Sequence, residues 1–380
     1  MNLLLFGGIL ITSEIDFSQF FCWNKDCTDY GIKNQGNIVL KERYGKNNHA
    51  LFKCKTCKKC FSETKGTIFF ELNTPDEEVL RTIAMLPEKD SIRGVARATG
   101  HSKDTICRWL EIAGTHAEEV TTYFLKNLNL TRVEVDEIWS YIKKQKNVTD
   151  EDSEECGDVY SLTAIKSDTR LLLSHHEGKR SAEDAIELFK EVEKMRSTSS
   201  PIPVFTSDDW DAFEEALINV YGKIELPQYK GIGRKPLPKL VPPDDLKYVK
   251  VLKKKVKNYV VETVQRIIFG DPDEIFEMLG ADADSYIGTS YAERINLTIR
   301  TSLARFIRKG MNFSKTKRMH QKAIDLFQAW YNFIKPHKSL RLKIDSGNRK
   351  WFQRTPAMAE GITDHIWSLK ELLTFRVPVQ

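Results

Sequence analysis

With 380 residues and 41% hydrophobic content, the chain can bury more than one core, so two or three domains are expected rather than one minimal module. Its 58 Lys and Arg against 53 Asp and Glu leave a net charge of +5, too mild for composition alone to identify a nucleic-acid partner. No apolar run is long enough to span a bilayer, and five of the seven cysteines crowd between Cys22 and Cys60, which argues against a membrane protein and a secreted disulfide framework.

The opening MNLLLFGGILIT is apolar but lacks a basic leader and a cleavage pattern, and is expected to be a packed strand. Residues 1–70, with the strand-like runs NIVLKERYG and HALFKCK among cysteines and lysines, predict a small metal-stapled module. Residues 71–128 turn helical: EEVLRTIAML, SIRGVARATG and SKDTICRWLEIAG have polar starts and Gly stops, which implies three helices. Residues 129–345 open with strands VEVDEIWSYI, VYSLTAIKS and TRLLLSHHEG, followed by an amphipathic helix SAEDAIELFKEVEKM, a strand IPVFTSD and a helix DAFEEALINVYG. Three strands, a helix, a strand and a helix is the order of an RNase H-like mixed α/β domain, though other folds share it. Residues 226–287, with the proline-rich KPLPKLVPPDD, two strand-like runs and a short helix, are expected to be an insertion. Helical patterning resumes at TSYAERINLTIRTSLARFIRKG and KTKRMHQKAIDLFQAWYNFIK, and residues 346–380 are expected to form a C-terminal tail.

Cys22 and Cys27, then Cys54 and Cys57, make two close-spaced pairs. Four thiolates in two knuckles are what a closed tetrahedral structural Zn²⁺ site needs, with Cys60 competing for a place in the second pair. In SIRGVARATGHSKDTICRWL, one helix ends at Gly100 and another begins after Ser102, a helix-turn-helix pattern that could set the second helix in a major groove. Lys103, Asp104, Thr105 and Arg108 are its contact candidates, with an ordinary helical hairpin as the plain alternative.

Asp136 sits mid-strand in an apolar run, where a carboxylate is costly unless it binds something. Asp208 ends the run PVFTSD, and Glu293 in SYAERINLTIR can supply a third acid from a helix. Such a set suits two hard cations, Mg²⁺ or Mn²⁺, that stabilise the attacking and leaving oxygens of a phosphoryl displacement. Glu137 competes with Asp136, and strand alternation does not settle which faces the metal. Asp209 competes with Asp208, Asp209 or Asp211 could instead cap the next helix, and Glu293 could be a surface ion-pair partner. Trp139 and Trp210 beside the acids are expected to pack, and His337 to serve a structural hydrogen bond.

Taken in order, the cysteine knuckles with RYG and CKTC, GTIFF, the helix pair, AGTHAEEV, VDEIWSY, SDDW, ERINLTIR, and RKGMNFSK followed by WYNFIKPHKSLR resemble the insertion-sequence-1 family of DDE transposases over nearly the whole chain. The family's usual Gly after the second acid is Asp209 here, the first knuckle is wider than usual, and the stretch from Asp208 to Glu293 is long. The resemblance implies a zinc ribbon, a helix-turn-helix domain and an RNase H-like catalytic domain in a mixed α/β protein. It implies catalytic metal ligands at Asp136, Asp208 and Glu293, and cleavage and transfer of DNA strands at terminal inverted repeats. Arg294, Asn296, Arg300, Arg305, Arg308 and Lys309 become DNA-contact candidates, alongside the basic runs Lys53 to Lys59, Lys247 to Lys257 and Arg305 to Arg318. A homodimer or higher homo-oligomer in the cytoplasm, associated with the nucleoid, is expected, since two element ends must be handled together. The competing expectations are a domesticated DNA-binding regulator and a nuclease that does not join strands.

Overall fold

The computed structural model describes residues 15–143, 155–228, 231, 234, 236–257, 259–279, 287–344 and 350–378; the strand expected at the N-terminus lies outside them. The chain divides into two compact units, Met1–Pro75 with Thr374–Gln380, and Asp76–Leu373.

In the first unit, β1 (Ile38–Tyr44), β2 (His49–Cys54) and β3 (Cys60–Ser62) form an antiparallel sheet in that order. Its small core gathers Ile38, Ala50, Phe52 and Phe61 around Cys22, Cys27 and Cys54. The far end of the chain belongs to this unit: Arg376 donates to the carbonyls of Lys65 and Glu63 and covers the Phe20 ring at 4.4 Å.

The second unit begins with α1 (Asp76–Ala84), α2 (Ile92–Thr99) and α3 (Lys103–Phe124). Their ends follow from local chemistry. Ser91 Oγ accepts the Gly94 amide at 3.0 Å, Gly100 takes the left-handed conformation (φ 79°) that closes α2, and Ser102 Oγ accepts the Thr105 amide at 3.1 Å to open α3.

Then come β4 (Arg132–Ile142), β5 (Gly157–Lys166), β6 (Leu171–Gly178), α4 (Ala182–Met195), β7 (Val204–Ser207) and α5 (Asp211–Tyr221). The short strands β8 (Lys223–Glu225) and β9 (Lys239–Val241) pair with each other. They are followed by β10 (Lys247–Val256), β11 (Tyr259–Phe269), α6 (Pro272–Leu279), α7 (Ser290–Ser302) and α8 (Lys317–Ala329). A π-helical turn, Trp330–Ile334, extends α8, and β12 (Leu342–Lys343), β13 (Trp351–Phe352), α9 (Pro356–Glu360) and α10 (Leu369–Thr374) complete the chain.

The architecture is mixed α/β. One six-stranded sheet runs in the order β11, β10, β7, β4, β5, β6, with β4, β7 and β10 parallel and the remaining pairs antiparallel. Within residues 226–287, β10 pairs directly with β7 and continues the sheet, and β11 forms its edge. On one face Phe189 of α4 packs edge-on against Phe205 of β7 and Phe213 of α5. On the other, Ile138 of β4 packs with Ala292, Ile295 and Ile299 of α7 and Ile324 and Phe327 of α8. Helix α3 reaches this layer as well: a Cβ on Gly114 would lie 2.4 Å from the Lys322 carbonyl, so glycine is what lets α8 approach so closely. Among the described residues no helix is long and apolar enough to cross a membrane.

Candidate metal centres

The sulfurs of Cys22, Cys27, Cys54 and Cys57 all lie within 4.8 Å of one another. Two backbone knuckles bring them together: the Cys27 amide turns back to Asn24, and the Lys58 amide to Cys54 with Lys58 at φ 63°. The Cys22–Cys57 and Cys27–Cys54 separations are 3.6 and 3.9 Å. A tetrahedron with metal–sulfur bonds of about 2.3 Å has edges of about 3.8 Å, whereas a disulfide would need about 2.05 Å. The donor set therefore fits a tetrahedral thiophilic ion. Burial pushes the Cys22 thiol up, whereas at Cys57 burial is outweighed by the Lys59 amide and its neighbours, which bring that thiol down to about 7. Amides of Asn24 and Asn37 point at the Cys22 and Cys54 sulfurs. Cys60 is exposed on β3 and is not one of the four.

A second group consists of Asp136, Glu137 and Asp208, again with ligand oxygens within 4.8 Å of one another. The parallel pairing of β4 with β7 explains the meeting of Asp136 and Asp208. Glu134 lies opposite Thr206, and the same register carried two residues further sets Asp136 beside Asp208. Asp136 accepts the side-chain amide of Asn296 at 2.8 Å and the Glu137 amide at 2.8 Å. Thr163 Oγ1 bonds Asn296 Oδ1 at 3.0 Å and so fixes the orientation of that amide. Burial, followed by the like charges of Asp208 and Glu137, pushes Asp136 up to about 7. Burial likewise raises Glu137 and Asp208. Glu137 Oε2 and Asp208 Oδ1 are buried with no hydrogen-bond partner. Buried carboxylate oxygens left unpaired are expensive, and three oxygen donors converging around them fit a hard divalent cation.

Glu293 is not one of this group. It projects from the first turn of α7, half exposed, accepts Thr289 Oγ1 at 3.1 Å and pairs with the Lys253 ammonium. Lys253 also acts on Asp208, as does Arg180, whose guanidinium bonds Glu137 at 2.5 Å and covers the Trp210 ring at 4.9 Å. Two cations thus flank the acids, one beside Glu137 and one between Asp208 and Glu293. Sequence reasoning did not single out either. Arg180 is the second of two basic residues in the turn between β6 and α4, and Lys253 is one of three consecutive lysines that only the strand register distinguishes.

Other expected residues take these positions. Lys103, Asp104 and Arg108 are exposed at the start of α3, and Thr105 is half-buried with its hydroxyl against Ser102. Arg294, Arg308 and Lys309 are exposed. Arg300 is half-buried with its Nε unpartnered; burial, then the neighbouring Arg308, lowers its pKa while Asp136 opposes. Asn296 and Arg305 are corrected as DNA contacts. Asn296 is 3% exposed and its amide is spent on Asp136 and Thr163, while the half-buried Arg305 turns its guanidinium onto the Met319 carbonyl and Ser314. Asp209 is exposed outside the cluster, and Asp211 pairs with Lys250 at 2.7 Å rather than capping α5. Trp139 donates to Asp158 at 3.0 Å, and His337 Nδ1 bonds Ser339 Oγ at 2.9 Å. No protein-family model and no curated protein matches the chain.

Proposed function

We propose that the chain is a DNA transposase of the DDE type, an RNase H-like enzyme that cuts and rejoins phosphodiesters with two divalent ions, Mg²⁺ or Mn²⁺, and carries a structural Zn²⁺ in its first unit. The observation that carries the reading is the convergence of Asp136, Glu137 and Asp208, two of whose oxygens, Glu137 Oε2 and Asp208 Oδ1, are buried and unpartnered. The succession of β4, β5, β6, α4, β7 and α5 is the RNase H-like order of elements, and it supports that finer fold assignment.

Asp136 and Asp208 would hold the divalent ions, with Glu137 or Glu293 completing the set. The ions supply Lewis acidity and a nucleophilic oxygen at neutral pH. Asn296 holds the Asp136 carboxylate in one orientation, and Arg180 and Lys253 stand where the negative charge of a bound phosphodiester would arrive. In cleavage, a water oxygen forms a bond to phosphorus and the strand's 3′-oxygen leaves with a proton. In joining, that 3′-hydroxyl attacks a target phosphodiester and loses its proton as the target's 3′-oxygen leaves. Lys103, Thr105 and Arg108 at the start of α3, and Arg294, Arg300, Arg308 and Lys309 beyond Glu293, would guide terminal inverted repeats and target DNA. A homodimer would hold two ends together.

Purified protein and Asp208→Ala, incubated with labelled DNA carrying the flanking element ends in Mg²⁺ or Mn²⁺, test this. Joined products from the wild type alone establish the transposase. Cleavage without joining indicates a nuclease, and metal-independent binding without cleavage indicates a DNA-binding regulator.

A further inference from the structure

We infer that Glu134, two residues before Asp136, is the positioning residue that holds the Glu293-bearing helix against the acid cluster. The inference rests on the reading of those acids as a divalent-ion site.

Glu134 is fully buried, and its Oε2 accepts the backbone amides of Tyr291 at 2.8 Å and Ala292 at 3.1 Å. These are two of the amides that the first turn of α7 leaves without an intrahelical partner. Thr289, at the N-cap, gives no side-chain cap, because its hydroxyl bonds Glu293 instead. A carboxylate from a strand therefore caps the helix, and its charge suits the positive helix end. The other oxygen, Oε1, receives Ser167 Oγ at 3.0 Å and the Arg132 guanidinium at 3.1 Å. Arg132 in turn donates to the Gly288 carbonyl at 2.7 Å, just ahead of α7. A buried carboxylate is tolerated only when satisfied in this way, and its partners come from β4, from the turn after β5 and from α7.

Strand alternation places Glu134 and Asp136 on the same face of β4, roughly 6.8 Å apart. Asn296 of α7 bonds Asp136, so the helix is fastened to β4 through Glu134 at its first turn and through Asp136 at its second. Glu293 lies between the two fastenings. Its own side chain is 50% exposed and held by Thr289 at the same helix end and by Lys253, so its place relative to Asp208 follows the placement of the helix. Loosening the first fastening would shift Glu293 relative to Asp208 without altering any acid of the cluster.

Mn²⁺ titration of the full chain by calorimetry, with electron paramagnetic resonance of the bound ion, tests this in five variants. Glu134→Gln keeps an oxygen for the two amides and is expected to bind Mn²⁺ within about threefold of wild type. Glu134→Leu removes the acceptor and is expected to weaken at least one ion tenfold or more. Tyr291→Pro deletes one capping donor in the first turn, where no intrahelical hydrogen bond is lost, together with the ring that packs on the core, and should weaken the same ion even if the leucine variant fails to fold. Ser167→Ala removes a bond to the same carboxylate without touching the cap. It should lower the melting temperature and leave Mn²⁺ affinity alone, which separates positioning from general stability. Wild-type affinity in folded Glu134→Leu or in Tyr291→Pro overturns the inference, as does equal weakening in Ser167→Ala. Asp136→Asn is the separate control: Mn²⁺ binding that survives it undamaged overturns the metal reading itself.

Discussion

The two clusters solve the same electrostatic problem in opposite ways. The four thiols of the first unit form a closed set, with sulfur separations of 3.6 and 3.9 Å, and three of the four cysteines are buried. Four thiols already make up a complete tetrahedral donor set. The acids of the second unit are an open set. Two oxygens lack partners, two cations wait at the edge, and a further acid stands outside the group on an exposed helix turn. A closed set suits an ion that stabilises the fold, and an open set one that meets a ligand.

The largest expected effect tests the closed cluster. Cys54→Ser, or a strong chelator, should unfold the first unit, since such sites contribute on the order of 10 kcal/mol to folding. Circular dichroism and zinc release, read together with a second-unit probe such as Mn²⁺ binding, check this. A folded, metal-free first unit would remove the contrast.

The open cluster should show itself through pH. Asp136 sits near 7 in the folded metal-free protein against an ordinary value of 3.8, so the folded state holds its proton more tightly than the unfolded chain. The sign follows: this group's contribution to stability falls as pH rises from about 4 to about 7, and is flat above that. The melting temperature of divalent-free protein should drop between pH 5 and pH 8, and Asp136→Asn should flatten the drop. Added Mn²⁺ should raise melting more at pH 8 than at pH 5. A pH-independent Mn²⁺ effect would mean that the ion binds elsewhere.

Lys253→Met offers a smaller, sharper test. If the ammonium is the counterion of Glu293 and Asp208, its loss should tighten Mn²⁺ binding by up to roughly tenfold, about 1.4 kcal/mol. Weaker binding instead would make Lys253 a structural support of the site.

The smallest effect on metal comes from a third cluster, in which each carboxylate already pairs with a cationic side chain. Buried His175 lies between Glu177 and Asp325, and Lys322 joins Asp325 to Glu118 of α3. Although burial opposes it, the two carboxylates hold His175 up to about 10. With a raised folded pKa, its stabilisation is present below pH 6.5 and is lost as pH rises through about 10. His175→Gln should cost roughly 3–5 kcal/mol in urea unfolding at pH 7, because it leaves buried carboxylates without their cation. Mn²⁺ affinity should not change.

Much of this was legible in the residues. The cysteine pairs carried the first cluster, because ligand spacing within a knuckle is a local property. The helix boundaries at Gly100 and Ser102 were equally local, as were the strand and helix patterns that placed Asp136 and Asp208 on neighbouring elements. The two strand-like runs within residues 226–287 were legible, but the pairing of one of them with β7 was not, because it joins positions more than forty apart. Asn296 stood among the DNA-contact candidates because its partner Asp136, 160 positions away, was not visible in the sequence.

Sequence by itself therefore determined which chemistry was available: four thiols in two knuckles, carboxylates in apolar strands, and a helix pair with capped ends. These depend on neighbours a few positions apart, where backbone geometry is fixed by residue type. Tertiary structure alone decided which of Asp136, Glu137 and Asp208 meet, that Lys253 and Arg180 guard them, and that Glu134 caps α7. Those contacts join residues separated by tens to more than a hundred positions, and the register of β4 against β7 and β10, together with the docking of α7, sets which side chains converge.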